Sequence, residues 1–78
     1  MRSQVTNKIV LLEGGATAPT VELYQLSSGR CRLWWFCYDQ DGMERETIAT
    51  FHEKDWAAAV RKGRERFRKF RKGERRGA

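Results

Sequence analysis

Apolar residues in the first fifty positions alternate with polar ones or form short runs bounded by turn residues, a pattern that is typical of β-strands. Residues 7–13 are rich in branched aliphatic side chains and are followed by the breakers of residues 14–19. Apolar positions return in residues 20–26 and, after a Ser-Ser-Gly turn, in residues 30–38, where bulky aromatic residues favour a central strand. The pattern therefore predicts three strands in succession.

A fourth strand, residues 43–49, is expected to pair with the third in a hairpin. Asp39-Gln40-Asp41-Gly42 forms the predicted four-residue loop, since Asp and Gly tolerate the left-handed backbone that such turns need. This loop places Trp34 opposite Thr47 and Trp35 opposite Glu46. Because side chains alternate across a sheet, the register assigns every residue of the hairpin to one of two faces.

Each predicted face of the hairpin is partly apolar, whereas one helix can cover only one of them. The first face carries Arg32, Trp34, Phe36, Tyr38, Arg45, Thr47, Ala49 and Phe51, and the second carries Cys31, Leu33, Trp35, Cys37, Glu44, Glu46, Ile48 and Thr50. If the helix covers the second face, the uncovered one combines arginines with aromatic rings, which suits nucleic acid. If it covers the first, Trp35 is exposed beside two glutamates, which suits a protein partner.

A long helix is predicted after the fourth strand. Thr50-Phe51-His52-Glu53 fits a capping box, in which the Thr and Glu side chains satisfy backbone donors at a helix start. Downstream, apolar or small residues recur every three or four positions and form one stripe that packs on the sheet: Trp56, Ala59, Val60, Gly63, Phe67 and Phe70. Gly63 is expected to let the helix approach a bulky partner such as Trp34 or Trp35.

These elements predict an α+β fold, an antiparallel three- to four-stranded sheet packed by one long C-terminal basic helix. We expect residues 1–6 to be a flexible N-terminus, residues 7–71 to form a single β-β-β-β-α domain, and residues 72–78 to be a basic frayed tail. A chain of 78 residues leaves little depth for a closed catalytic pocket.

The formal net charge of +6 comes entirely from the end of the chain. Residues 61–78 hold ten basic residues and only Glu65 and Glu74, whereas residues 1–60 are slightly acidic. Because like charges so close together destabilise a helix, this segment is expected to meet a polyanion. Contact with six phosphates of a duplex would make affinity fall with salt at a log-log slope near −5, from about −0.9 per contact.

The residues expected to contact nucleic acid are mostly on the helix: Arg61, Lys62, Arg64, Arg68, Lys69, Arg71, Lys72 and Arg75. Three residues of the predicted sheet, Arg32, Trp34 and Arg45, are expected to add groove contacts. Phosphate contacts give affinity with little sequence preference.

Residues with catalytic or metal-binding potential are few. His52 is the only histidine, predicted at the surface near the helix start, and the sequence has no Cys-x-x-Cys pair. Cys31 and Cys37, six positions apart on one strand, are about 20 Å apart and cannot bridge, so we expect free, buried thiols. We expect no metal, cofactor or enzymatic activity, no membrane association and a cytoplasmic location.

Part of the chain resembles the arm-binding domains of phage and transposon integrases, which are related to the plant ethylene-response DNA-binding domain. The resemblance covers residues 30–70 and lies in Arg32-Leu33-Trp34-Trp35-Phe36, then residues 45–51, then Lys54-Asp55-Trp56-Ala57-Ala58-Ala59. It implies that the sheet enters the major groove while the helix braces its back. By position, Arg32, Trp34, Arg45 and Thr47 would then contact DNA.

Three hypotheses about function follow from the sequence. The first is a small non-enzymatic nucleic-acid-binding accessory or regulatory protein, with DNA favoured over RNA. The second is a protein-binding inhibitor or adaptor, encoded by a phage or mobile element, that uses an uncovered aromatic sheet face and sets the basic helix on an acidic partner. The third is a homodimer that buries the uncovered sheet face.

Overall fold

The computed structural model describes residues 3–15, 18–39 and 41–77, and within these ranges the side chains of all residues except 39 and 74–77. Four strands form one antiparallel sheet in the order β1-β2-β3-β4, and one helix follows. This confirms the predicted α+β fold with a C-terminal helix. The elements are β1 (Val5–Leu12), β2 (Thr20–Leu26), β3 (Arg30–Asp39), β4 (Gly42–His52) and α1 (Trp56–Gly77).

The core lies between α1 and one face of the sheet. Its fully buried apolar side chains are Val21, Leu23, Cys31, Leu33 and Ala59. The helix therefore covers the face that carries Cys31 and Leu33, which leaves Trp34 and Arg32 on the other side. We call the covered side the helix side and the uncovered one the open face.

The β3–β4 hairpin has the predicted register near its turn. Trp34 pairs with Thr47 and Trp35 with Glu46, as the loop assignment required. Asp39 also pairs with Gly42, so the strands extend further toward the turn than a four-residue loop would allow. The positive φ of Gly42, 130°, is a conformation that glycine adopts without steric cost.

A bulge in β4 overturns the predicted faces of the residues beyond it. The register shifts between Leu33 and Trp34, so that Leu33 pairs with Ala49 while Ile48 has no partner of its own. Ile48 and Ala49, although adjacent, both pack against the core.

Residues of β4 that come after the bulge lie on the face opposite to the one predicted for them. Phe51 pairs with Cys31 and packs on the helix side with Ala49, whereas both were expected beside Arg32. Thr50 pairs with Arg32 instead and belongs to the open face. No local feature of the sequence distinguishes this bulged strand from a regular one.

The predicted capping box at residues 50–53 is wrong. Thr50 and His52 continue the ladder of β4, where His52 pairs with Arg30. The helix begins at Trp56, and the Asp55 carboxylate caps it by accepting a hydrogen bond from the Ala58 amide, 2.9 Å away. The Glu53 amide, one of the donors that the capping box would have served, donates instead to the Gly29 carbonyl, 2.8 Å away.

Both ends of the domain differ from the predicted limits. Strand β1 begins at Val5, inside the stretch expected to be a flexible N-terminus, and the Ser27 amide donates to the Gln4 carbonyl. Helix α1 continues to Gly77, through most of the stretch expected to be a frayed tail.

Gly63 marks the closest approach of α1 to the sheet. A Cβ atom built on Gly63 would lie 2.7 Å from Cδ2 of Leu23, which is fully buried on β2. The sequence correctly predicts a close approach at this glycine, but its partner is Leu23 and neither Trp34 nor Trp35. Leu23 becomes the partner because Trp34 lies on the open face and α1 crosses β2 at this point.

A buried glutamine joins β1, β2 and the segment before α1. Gln25 is only 3% exposed. Its Oε1 accepts a hydrogen bond of 2.8 Å from Asn7 Nδ2, and its Nε2 donates to the Glu53 carbonyl. All its polar atoms are therefore engaged inside the protein, as burial of a polar group requires.

The Glu53 side chain, just before α1, makes the free energy of unfolding depend on pH. A hydrogen bond from Lys62 Nζ, 2.8 Å away, and a second from the Asp55 amide lower the pKa of this carboxyl. Because the folded pKa is depressed, its contribution to the free energy of unfolding is present at neutral pH and is lost as the pH falls through the folded pKa.

We therefore expect Glu53→Gln to destabilise the protein at pH 7 and to have a smaller effect at pH 3. Urea denaturation of both proteins at the two pH values would measure this. Glu44→Gln, a substitution on an exposed strand residue, is the control. An equal effect of Glu53→Gln at both pH values would contradict the assignment.

Candidate nucleic-acid interface

The cations of α1 face away from the sheet. Ala59 and Gly63 are buried on the side of α1 that packs on the sheet. The side chains on the opposite side of the helix therefore point to solvent. The exposed basic residues are Arg61, Lys62, Arg64, Arg66, Arg68, Lys69, Arg71 and Lys72. We call this set the helix cations.

Few of the helix cations are neutralised within the chain. Lys62 pairs with Glu53 at 2.8 Å and Lys69 with Glu65 at 3.3 Å. The Arg71 guanidinium carbon lies 5.5 Å from the centre of the Phe67 ring. Among the described side chains, none of the remaining helix cations has a carboxylate within 4 Å. Their mutual repulsion is therefore largely uncompensated in the free protein.

One flank of α1 overhangs the edge strand β1 and forms a groove of about 730 Å³ with it. Val10, Leu11 and Phe67 supply its apolar surface. The helix residues along it are Arg61, Arg64, Glu65, Arg68, Arg71 and Lys72. Most of the predicted phosphate-binding arginines therefore share one continuous basic surface.

The open face of the sheet carries a second candidate surface. Four rings follow one another across it, with centroid distances of 6.1 Å from Tyr24 to Trp34, 5.3 Å from Trp34 to Phe36 and 6.1 Å from Phe36 to Tyr38. We call these four residues the aromatic ladder. The Arg32 guanidinium carbon lies 5.8 Å from the centre of the Tyr24 ring.

Strand alternation sorts the charges of the sheet by sign. Arg45 pairs with Phe36 and so belongs to the open face, whereas its neighbours Glu44 and Glu46 pair with Cys37 and Trp35 on the helix side. The Glu46 carboxylate accepts a hydrogen bond of 3.2 Å from Trp35 Nε1 there. The open face is therefore basic although the sheet as a whole is not.

The structure divides the predicted site residues between these two surfaces. The helix cations lie on one side of the molecule, and Arg32, Trp34 and Arg45 lie on the other, with the whole sheet between them. A straight duplex can contact only one of the two surfaces at a time. The side chain of Arg75 lies outside the described residues.

Three further cations of these surfaces were not among the site residues predicted from the sequence. Lys8 pairs with Tyr24 and Arg30 with His52, which places both cations on the open face. Lys8 could have been assigned to this face only from the β1–β2 register, and a loop of several residues does not fix that register. Arg66 is an exposed helix cation that was not singled out, although its position in the basic run was visible.

Other kinds of site find no support in the described part of the chain. No three of its His, Cys, Asp and Glu side chains are grouped so that they could hold a metal ion. Its helix is too polar to cross a membrane. His52 lies at the surface as expected, with Nε2 3.0 Å from the Ser28 carbonyl oxygen.

Comparison of the chain with models of protein families, with curated proteins and with solved structures finds no match.

Proposed function

We propose that this chain is a small non-enzymatic nucleic-acid-binding protein in which α1 binds the phosphate backbone. The observation that supports this proposal is the set of helix cations, which is exposed and, among the described side chains, largely without internal counterions. Five of its members line one groove along α1. Such a surface is stabilised when phosphates replace the missing carboxylates.

The basic surface is long enough to contact several phosphates of a duplex. At 1.5 Å per residue, Arg61 and Lys72 are about 16 Å apart along the helix axis. A duplex carries about one charge per 1.7 Å, so it presents roughly ten phosphates over that length. Four to six of them are expected to pair with helix cations, which corresponds to a log-log salt slope between about −4 and −5.

A salt-titrated binding assay tests this proposal. We expect a fluorescently labelled 20-base-pair DNA to bind with a dissociation constant in the micromolar range at about 100 mM salt. Arg64→Glu/Arg68→Glu should weaken binding about a hundredfold and reduce the slope by about two, because each substitution removes a phosphate contact and adds repulsion. Fluorescence anisotropy at several salt concentrations measures both quantities.

A charge-matched control separates local contacts from net charge. Lys54→Glu makes the same change on an exposed residue that precedes α1, and we expect it to weaken binding less than about twofold, compared with about fivefold or more for Arg68→Glu. The absence of micromolar binding, or an equal effect of the two single substitutions, would exclude α1 as the phosphate-binding element.

Protein binding is a second candidate function, and a different surface favours it. An open groove of about 770 Å³ lies between the C-terminal half of α1 and the helix side of the sheet. Its apolar lining includes Leu12, Val21, Trp35, Phe67 and Phe70. Such a groove suits an apolar side chain of a partner better than a phosphate.

Two measurements test this alternative. If a second copy of the chain occupies the groove, the mass measured by gel filtration should rise with concentration, and Phe70→Ser should abolish the rise. A constant monomer mass excludes the homodimer. Retention of DNA binding in Phe70→Ser would separate the groove from the nucleic-acid surface.

A further inference from the structure

The aromatic ladder lies outside the surface through which α1 is proposed to bind phosphates. Tyr38, at one end of the ladder, is 66% exposed, and the other three rings are half-buried. Its members lie on β2 and β3, the two central strands of the sheet. Solvent has access to all four.

Positive charge surrounds the ladder. The cations of the open face are Lys8, Arg30, Arg32 and Arg45, and its acidic residue is Glu22. Lys8 Nζ lies 3.8 Å from the Glu22 carboxylate, which also accepts a hydrogen bond of 3.1 Å from Trp34 Nε1. The three arginines have no carboxylate within 4 Å among the described side chains, so they are free to pair with anions.

The spacing of the rings selects between forms of nucleic acid. Neighbouring ring centres are 5.3–6.1 Å apart, whereas the bases of one strand in a duplex are about 3.4 Å apart. Bases that each contact a separate ring must therefore be unstacked from one another. Single strands meet this requirement, because their bases can be splayed out and stacked on aromatic side chains.

We propose that the open face binds single-stranded nucleic acid, with bases on Phe36 and Tyr38 and phosphates on Arg32 and Arg45. Arg45 pairs directly with Phe36 across the β3–β4 ladder, so the two side chains leave neighbouring positions of the open face. Arg32 lies two residues from Trp34 on the same strand and occupies the other end of the ladder. The proposal concerns a surface that α1 does not share, and it goes beyond the proposed role of α1 in duplex binding.

The test compares a labelled 12-nucleotide oligothymidylate, which does not pair with itself, with a duplex of the same length at about 150 mM salt. Tyr38→Ala should weaken oligothymidylate binding by about fivefold to a hundredfold, the loss expected for one stacked base, and leave duplex binding unchanged. Tyr38→Phe, which keeps the ring, should bind like the wild type. Met43→Ala changes the residue paired with Tyr38 and is the control without a ring.

Arg64→Glu/Arg68→Glu separates the two surfaces. In this variant duplex binding should be lost, while oligothymidylate binding should remain and should still depend on Tyr38. Oligothymidylate affinity that is the same in Tyr38→Ala as in the wild type would overturn the proposal. An equal loss of duplex and oligothymidylate affinity in Tyr38→Ala would also overturn it.

Failure of this proposal is distinguishable from failure of the proposed function. If the wild type binds duplex but not oligothymidylate, the open face is not a single-strand site, and the role of α1 stands. If it binds oligothymidylate alone, the role of α1 fails, and the open face stands. Circular dichroism of every variant verifies that the fold is intact.

Discussion

Gly63→Leu is expected to lower the free energy of unfolding severely at 25 °C. The new Cβ would lie 2.7 Å from Leu23 Cδ2, closer than carbon atoms can approach, and the rest of the side chain has no space beneath α1. Leu23 is fully buried and cannot move into solvent. We expect a loss of more than about 3 kcal/mol, against a total stability of about 4–12 kcal/mol for a chain of this length.

Gly63→Ala and Gly73→Ala form a matched pair for this prediction. Both substitutions increase helix propensity by about 1 kcal/mol, but a Cβ on Gly73 meets no atom within 4 Å. We therefore expect Gly73→Ala to raise the midpoint of urea denaturation and Gly63→Ala to lower it. An increase of similar size in both variants would show that the helix does not approach the sheet at Gly63 as closely as described.

Gln25→Glu is expected to destabilise the protein by about 3–4 kcal/mol at pH 7. The substitution keeps the shape of the side chain but replaces the amide donor to the Glu53 carbonyl with a carboxylate oxygen, which cannot donate. A carboxylate at a position that is 3% exposed also loses most of its hydration. Repulsion from the Glu53 carbonyl adds to this cost.

Acid should rescue this variant. Burial raises the folded pKa of the introduced carboxyl above its unfolded value, so the penalty is absent below the unfolded pKa and grows as the pH rises toward the folded pKa. The protonated carboxyl can donate to the Glu53 carbonyl and accept from Asn7, as glutamine does. We therefore expect the difference in unfolding free energy from the wild type to shrink between pH 7 and pH 4.

Gln4→Glu is the control for this experiment, since Gln4 is exposed and the same chemical change there should alter stability by less than about 0.5 kcal/mol. A pH-independent difference between Gln25→Glu and the wild type would show that the loss arises from packing and not from the buried charge.

The order of the elements could be predicted from the sequence because each is encoded locally. The aromatic run of β3 indicates a strand. The three- and four-residue spacing of Trp56, Ala59 and Gly63 indicates a helix with one buried side. The pairing of Trp34 with Thr47 assigned the hairpin residues before the bulge to the correct faces, but it left open which face α1 covers. These features depend on periodicity, which any unbroken strand or helix displays.

The features that sequence analysis missed depend on contacts between distant segments. The helix start was misplaced because Thr50 and His52 are held by β3, and a strand partner outweighs a local capping motif. The division of the candidate site into two surfaces stayed open, because the hairpin register places Arg45 and Glu46 on opposite faces but does not determine which face α1 covers. The sequence identified Arg32, Trp34 and Arg45 but could not place them opposite the helix cations.

The bulge at Ile48 makes β4 tolerant of a change in length. Deletion of one residue from a regular strand turns every later side chain to the wrong side of the sheet. Deletion of Ile48 would instead bring the pairs Trp34–Thr47 and Leu33–Ala49 into direct succession and leave Phe51 on the helix side. The deletion would lose the packing of the Ile48 side chain against the core. The strand can therefore shorten by one residue during evolution while the remaining side chains stay on the same faces of the sheet.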